Sequence, residues 1–200
     1  MIPRHAPAPE RPRIVIGMSG ASGVAYGIRL LEVLRDHGVE THLVMSRAAY
    51  LTLATETDMT PRQVEALASI VHSNKDIGAT CASGSFRTLG MIVAPCSVKT
   101  LAEIATGTTS NLLSRAADVA LKERRRLVLM VRETPLHLGH IRSMAAVTEM
   151  GAIVYPPVPA FYAKPASLAE MVDHTVGRVL DLFDINAELA HRWEGLRPER

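Results

Sequence analysis

The sequence predicts a single-domain, doubly wound α/β fold, with a parallel sheet and helices on both faces. Three observations predict it. Short apolar runs recur at 13–19, 39–45, 89–94, 127–131 and 152–155, and segments of helical periodicity lie between them. The runs at 89–94 and 127–131 are continuously apolar, the pattern of strands covered on both faces. The first run, the glycine turn Gly20-Ala-Ser-Gly23, a helical stretch and the second run make a β-α-β unit of about 30 residues, expected to be a right-handed parallel crossover.

Each element follows in order. After the first strand, Tyr26, Ile28, Leu31 and Leu34 mark a helix that Gly38 closes before the strand at 39–45. Helices are expected at 48–56 and 61–72, the second opened by Thr60 as N-cap and Pro61 at its first position. The polar, glycine-bearing stretch 73–88 is too long for an idle connection. A buried strand at 89–94 runs through Pro95-Cys-Ser97 into a helix from Val98. Then come a helix at 111–123, a strand at 127–131, a helix at 136–150, a strand at 152–155 and a proline-rich loop to Pro165. Ser167 caps a last helix with the apolar stripe Met171, Val172, Val179 and Leu182. Residues 1–12, with prolines among charges, are expected to be a disordered tail, 13–185 the domain, and 186–200 a C-terminal tail.

Composition narrows the function. The 200 residues, 48% of them hydrophobic, suffice for the core of one domain. With 22 Lys and Arg against 20 Asp and Glu, the chain lacks the single-sign field of a nucleic-acid binder. Cys81 and Cys96 form neither a disulfide framework nor a CxxC pair, which fits a reducing cytoplasm. No apolar run nears the ~20 residues of a membrane span, and the N-terminus has no apolar core of a signal peptide.

The candidate chemistry gathers at strand ends. Gly17, Gly20 and Gly23 sit at the first strand-to-helix turn in a G-x-x-G-x-x-G spacing, which serves either an anion or simply a tight turn. The second strand ends in Ser46-Arg47, where a dinucleotide site would place an acidic residue for a ribose diol. A hydroxyl beside a cation suits a phosphate, favouring FMN or NADP over NAD, although Ser46 also reads as a plain helix cap. Ser97 and Thr100 lie one turn apart at a third helix start, so a phosphorylated ligand is expected. Cys96 beside them reads as a buried small residue, and Arg132-Glu133 as either a functional rim pair or a structural ion pair. His137 and His140 share a helix face without a carboxylate, the pattern of surface histidines rather than a metal site. There is no G-x-S-x-G elbow, P-loop or aspartate-rich magnesium cluster.

Gly20-Ala-Ser-Gly23, Thr55-Glu-Thr57, Ala82-Ser-Gly-Ser85, Pro95-Cys-Ser-Val-Lys-Thr-Leu101, Arg115 through Arg125 and Arg132-Glu-Thr-Pro135 together resemble the UbiX-type flavin prenyltransferases, formerly labelled aromatic acid decarboxylases. The resemblance runs from about Arg13 to Trp193, in order and at family spacing. It implies a flavoprotein-type domain and an enzyme that joins a dimethylallyl group from dimethylallyl phosphate to N5 and C6 of reduced FMN. The product, prenylated FMN, would serve a UbiD-type decarboxylase. It implies FMN contacts at Gly20, Ala21, Ser22, Ser46, Ser97, Thr100 and Arg132, and donor contacts at Lys122, Tyr162 and Arg178. Ser22, Glu56 and Glu133 match positions of proton handling and alignment, and Trp193 matches an aromatic near the site. It further implies a homo-oligomer, a dodecamer by family pattern, with sites shared between subunits. The stretch 138–144 departs from the family, where an asparagine often precedes Met144.

Physical chemistry agrees with that set. Cations at Lys122, Arg132 and Arg178 suit a departing phosphate without a metal, and a carboxylate such as Glu133 suits loss of the ring proton, with Ser22 or phosphate as relay. Two other functions share these features. One is an FMN-dependent cysteine-type decarboxylase, for which His72 is the nearest catalytic histidine. The other is an FMN-binding accessory subunit of a hydroxyarylic acid decarboxylase.

Overall fold

The computed structural model describes residues 11–190 and 195. Among them six strands form one all-parallel sheet: β1 (Arg13–Met18), β2 (Glu40–Met45), β3 (Ile70–Ser73), β4 (Gly90–Cys96), β5 (Arg126–Val131) and β6 (Ile153–Val154), in the order β3-β2-β1-β4-β5-β6. Seven helices connect and cover them: α1 (Val24–Asp36), α2 (Arg47–Glu56), α3 (Pro61–Glu65), α4 (Val98–Ala105), α5 (Leu112–Lys122), α6 (Leu138–Glu149) and α7 (Leu168–Asp181). This is the doubly wound α/β sheet that the apolar runs predict.

Strand alternation divides the core in two. Ile14, Ile16 and Met18 of β1 point to one face, where they pack with Leu43, Ile92 and Val128 against Leu31 and Leu34 of α1 and Val176 and Leu180 of α7. Val15, Val44, Met91, Val93 and Leu129 point to the other, against Leu101 of α4 and Leu113, Ala117 and Ala120 of α5. Both faces are dry, which is why β4 is buried from Gly90 to Cys96.

One element differs from the sequence expectation. The helix expected over 61–72 ends at Glu65, and Ile70–Ser73 is the edge strand β3. Thr60 and Pro61 do open that helix, and Thr60 and Gln63 form a reciprocal capping box. What stops it is pairing with β2. Ser69 Oγ accepts the Thr41 amide (3.1 Å), Thr41 Oγ1 accepts the Ser69 amide (3.0 Å), and His42 and His72 stack across the strands. The 73–88 stretch is a connection holding one 3₁₀ turn, Thr80–Ala82, with Cys81 buried beneath it.

The tails expected at 1–12 and 186–200 lie mostly outside the described residues, as does Trp193. Of the rest, Ala187 and Leu189 pack against the α7 face of the core. Among the described residues no helix is long and apolar enough to cross a membrane.

The topology fixes where a ligand goes. The chain builds outward from β1 to β3, then returns to place β4 on the other side of β1, so the carboxyl ends of β1 and β4 flank a crevice. The N-termini of α1, α2 and α4 all start at that edge. The start of α5 is drawn to it as well, because Asn74 accepts the Leu112 amide through its carbonyl and the Leu113 amide through Oδ1, each at 2.9 Å.

Candidate functional site

At this crevice lies a cleft of about 730 Å³, lined on one wall by Gly20, Ala21 and Ser22, on another by Ser46 and Arg47, and on a third by Ser97, Lys99 and Thr100. Arg132 and Glu133 close the rim beyond β5. The sequence-predicted flavin contacts therefore meet in one place, together with Glu133.

The glycine turn has a packing reason. A Cβ at Gly20 would overlap Ala48 of α2, so the β1–α1 turn approaches the start of α2 without a side chain between them. Ser46 is the N-cap of α2 and accepts the Ala49 amide at 3.1 Å, so the plain capping role holds. Ser97 caps α4 in the same way, accepting the Thr100 amide (3.3 Å) and donating to Thr100 Oγ1 (3.2 Å). Capping does not exhaust these groups. Each helix keeps its first amides without an intrahelical partner, and the Ser46 and Thr100 hydroxyl protons remain to be donated. With Arg47, Lys99 and Arg132 nearby, the donor set is that of a phosphate site.

The N-cap of α1 is Gly23, at φ +106°, which has no side chain to cap with. Glu56, at the end of α2, supplies the acceptor: its Oε2 takes the Gly23 amide (2.9 Å) and the Val24 amide (3.1 Å). Burial raises the Glu56 carboxyl, but the Ser22 hydroxyl, these two amides and the charge of Arg132 outweigh it and hold the group below its ordinary value. Glu56 is thus a fixed anion that orients the Ser22 hydroxyl. Glu133 differs: among the described residues its Oε1 accepts only the neighbouring Thr134 amide (2.9 Å), and no ion pair joins it to Arg132. The structural ion pair considered from sequence is not formed.

Cys96 is fully buried behind Ser97, and burial pushes its thiol up to about 12, so it is inert packing as expected. His137 and His140 stack on each other and form the capping box of α6, with His137 Nδ1 accepting the Gly139 amide at 3.0 Å. His72 hydrogen-bonds His42 at 2.9 Å on the sheet edge and does not line the cleft.

The three predicted donor contacts stand apart from the cleft within one chain. Tyr162 lies in a 3₁₀ turn, Phe161–Ala163, with its ring edge-on to His174 at 5.9 Å. Arg178 pairs with Asp181 at 2.6 Å on α7. Burial raises the Tyr155 hydroxyl, with Arg178 opposing and Tyr162, Asp181 and Tyr26 adding to the rise, so Tyr155 lies within electrostatic reach of each of them. Tyr26 is on the first turn of α1, one turn from Gly23. Lys122 is farther. It ends α5, about 16 Å along the helix from the end that lines the cleft, and pairs with Glu123. Sequence reasoning did not single out Asn74, Glu103 and Asn111, which also line the cleft. The Asn111 cap of α5 was the available signal.

The chain matches the flavoprotein family model over residues 4–192. It is 58% identical to the flavin prenyltransferase UbiX of Thauera aromatica across 92% of this chain and 94% of that one. The crystal structure of AnUbiX in complex with FMN and dimethylallyl pyrophosphate superposes with a TM-score of 0.92 at 54% identity, covering 94% of this chain and all of the other. A dodecameric FMN-dependent UbiX-like decarboxylase from Escherichia coli O157:H7 superposes with a TM-score of 0.89 at 49% identity, covering 92% of this chain and all of that one. A cleft lined by Ser22, Arg132 and Glu133, with Glu56 hydrogen-bonded to Ser22 outside that lining, agrees with these likenesses, and the chain belongs to the UbiX-type flavin prenyltransferases.

Proposed function

We propose that this chain joins a dimethylallyl group from dimethylallyl phosphate to N5 and C6 of reduced FMN, and that a UbiD-type decarboxylase takes up the prenylated FMN. The observation that carries this is the cleft itself: helix N-termini and cations for a phosphate on one side, and Glu133 with a serine held from behind by Glu56 on the other. Bound reduced FMN supplies the nucleophilic N5 and the C6 carbon where the new ring closes. Ser46, Ser97 and Thr100, with the free amides of α2 and α4, hold its phosphate.

The first bond forms between N5 and the allylic carbon as the carbon–oxygen bond to phosphate breaks. Arg132 and Arg178 stabilise the leaving dianion, and Tyr162 offers a π face to the allylic carbon. The second bond forms between C6 and the far carbon of the prenyl double bond as the neighbouring carbon of that double bond takes the proton that N5 gave up, and the proton lost from C6 passes to Glu133, directly or through the Ser22 hydroxyl that Glu56 holds. Cations here fill the role that a divalent metal plays in other prenyl transfers, so the reaction is metal-independent in this reading.

Lys122 completes the donor site from a second copy of the chain. α6 buries only Val147 and leaves Leu138 (58%) and Ile141 (51%) exposed beside the rim, a face suited to another subunit. A homo-oligomer, dodecameric as in the E. coli relative, follows. Action in a reducing cytoplasm fits the two free cysteines and the reduced flavin. The cysteine-type decarboxylase reading loses its histidine, since His72 is engaged with His42.

The test is anaerobic incubation with reduced FMN and either dimethylallyl phosphate or the diphosphate, followed by absorbance and mass of the flavin. Prenylated FMN that forms equally in EDTA is expected. Flavin returned unchanged with both donors refutes the transfer, and a rate that collapses in EDTA and returns with magnesium refutes the metal-independent leaving-group step.

A further inference from the structure

The end of β1 pins the two turns on either side of it by different means. Toward β2, the Met18 carbonyl accepts the Ser46 amide at 2.9 Å, a backbone bond that any residue at position 18 would make. Toward β4, the pin is a side chain. Ser19 Oγ donates to the Pro95 carbonyl (3.0 Å) and accepts the Ser97 amide (2.7 Å), while the Ser19 amide also donates to the Pro95 carbonyl (3.1 Å). Ser19 is 1% exposed, so water does not substitute for either bond. A hydroxyl donates and accepts at one atom, which is what this gap between a carbonyl and an amide requires.

We propose that Ser19 is a positioning residue for the flavin site, holding the Ser97–Thr100 turn at a fixed distance from the glycine turn Gly20–Ser22. It touches no ligand and acts through Ser97. Two of the hydroxyls that grip phosphate, Ser97 and Thr100, lie at the start of α4 just beyond β4, and the hydroxyl that handles the proton, Ser22, lies in the turn just beyond β1. The Ser19 side chain is a sequence-encoded link between them, and its loss frees the Ser97 amide and lets the α4 start drift by fractions of an ångström. Preorganised phosphate donors lose affinity steeply with such drift. This inference rests on the cleft being the FMN site.

The experiment is FMN titration, without any prenyl donor, of Ser19→Ala, Ser19→Thr, Ser97→Ala and the double variant Ser19→Ala with Ser97→Ala, beside thermal melts of each. Ser19→Ala is expected to weaken FMN binding about tenfold, and Ser19→Thr, which keeps the hydroxyl, to restore most of it. The Ser19→Ala and Ser97→Ala penalties on affinity are expected to be clearly less than additive in the double variant, because both act through one turn. Wild-type FMN affinity in a folded Ser19→Ala, or strictly additive penalties, overturns the proposal even if melting falls. A wild-type chain that binds FMN yet makes no prenylated flavin overturns the proposed function and leaves this assignment intact.

Discussion

Two carboxylates, Glu133 on the rim and Glu56 behind Ser22, have different duties, and their hydrogen bonds say which. Glu56 is surrounded by donors that reward its charge, so it serves better as an acceptor that orients Ser22 than as the group that takes a proton. Among the described residues Glu133 has a single backbone donor and no paired cation, so its carboxylate at the rim is not committed to a structural partner. Glu133→Gln is therefore expected to slow prenylated-flavin formation by ~10²–10⁴-fold in single turnover with FMN saturating, with FMN affinity and melting unchanged. Wild-type rates would move the base elsewhere. Ser97 and Thr100 make the complementary case. Replacing both by alanine removes a helix cap and two hydroxyls from the phosphate wall, so FMN binding is expected to weaken by ~10–100-fold while melting falls modestly. Equilibrium titration checks it. These residues were legible in the sequence because strand ends and helix caps have local signatures. The use of Glu56 to cap α1 was not, since only the fold brings Gly23, 33 residues away in sequence, to it.

At the scale of elements, β3 shows what a local pattern misses. Thr60, Pro61 and Gln63 announce a helix correctly, but nothing nearby says that it lasts little more than a turn. The Thr41–Ser69 exchange and the His42–His72 bond end it, and both depend on β2 lying alongside. That edge carries a pH response. Burial lowers the His72 imidazole below its ordinary 6.5, the nearby His42 adds to this, and Asp76 opposes it. A base whose folded value is depressed binds its proton more readily when unfolded, so its contribution to stability is full above 6.5 and is lost as pH falls through the folded value. Beside it, hydrogen bonding from His42 lowers the Glu40 carboxyl below 4.5 against the burial that raises it, with Arg13 helping, so a second loss begins only below that pH. Melting temperature is expected to decline in two steps, and His72→Gln is expected to erase the upper one. Melts between pH 8 and 2.5 decide it, and an unchanged upper step in the variant would assign it to another group.

The whole molecule accounts for the residue that one chain leaves stranded. α5 begins at the cleft with Asn111 and Leu113 and ends at Lys122, so a rigid helix of 11 residues separates Lys122 from its own chain's Arg132. No side-chain rotation closes that gap, since a lysine reaches only about 6 Å beyond its Cα. Sequence matching names the residue and is silent on which copy of the chain supplies it, because a motif has no subunit. The exposed Leu138 and Ile141 next to the rim give a second copy somewhere to sit, and association would bring a foreign α5 end to this cleft. Lys122→Met is then expected to bind FMN as the wild type does while losing most of its prenyl transfer. Co-expressing Lys122→Met with Glu133→Gln separates the alternatives. If Lys122 serves a neighbour, some cleft in a mixed assembly has an intact Glu133 from one chain and an intact Lys122 from the other, and a fraction of activity returns that neither variant shows alone. If Lys122 serves its own chain, every cleft in the mixture carries one defect or the other. Activity no higher than the mean of the two separate variants would reject the shared site, whatever the oligomer's size.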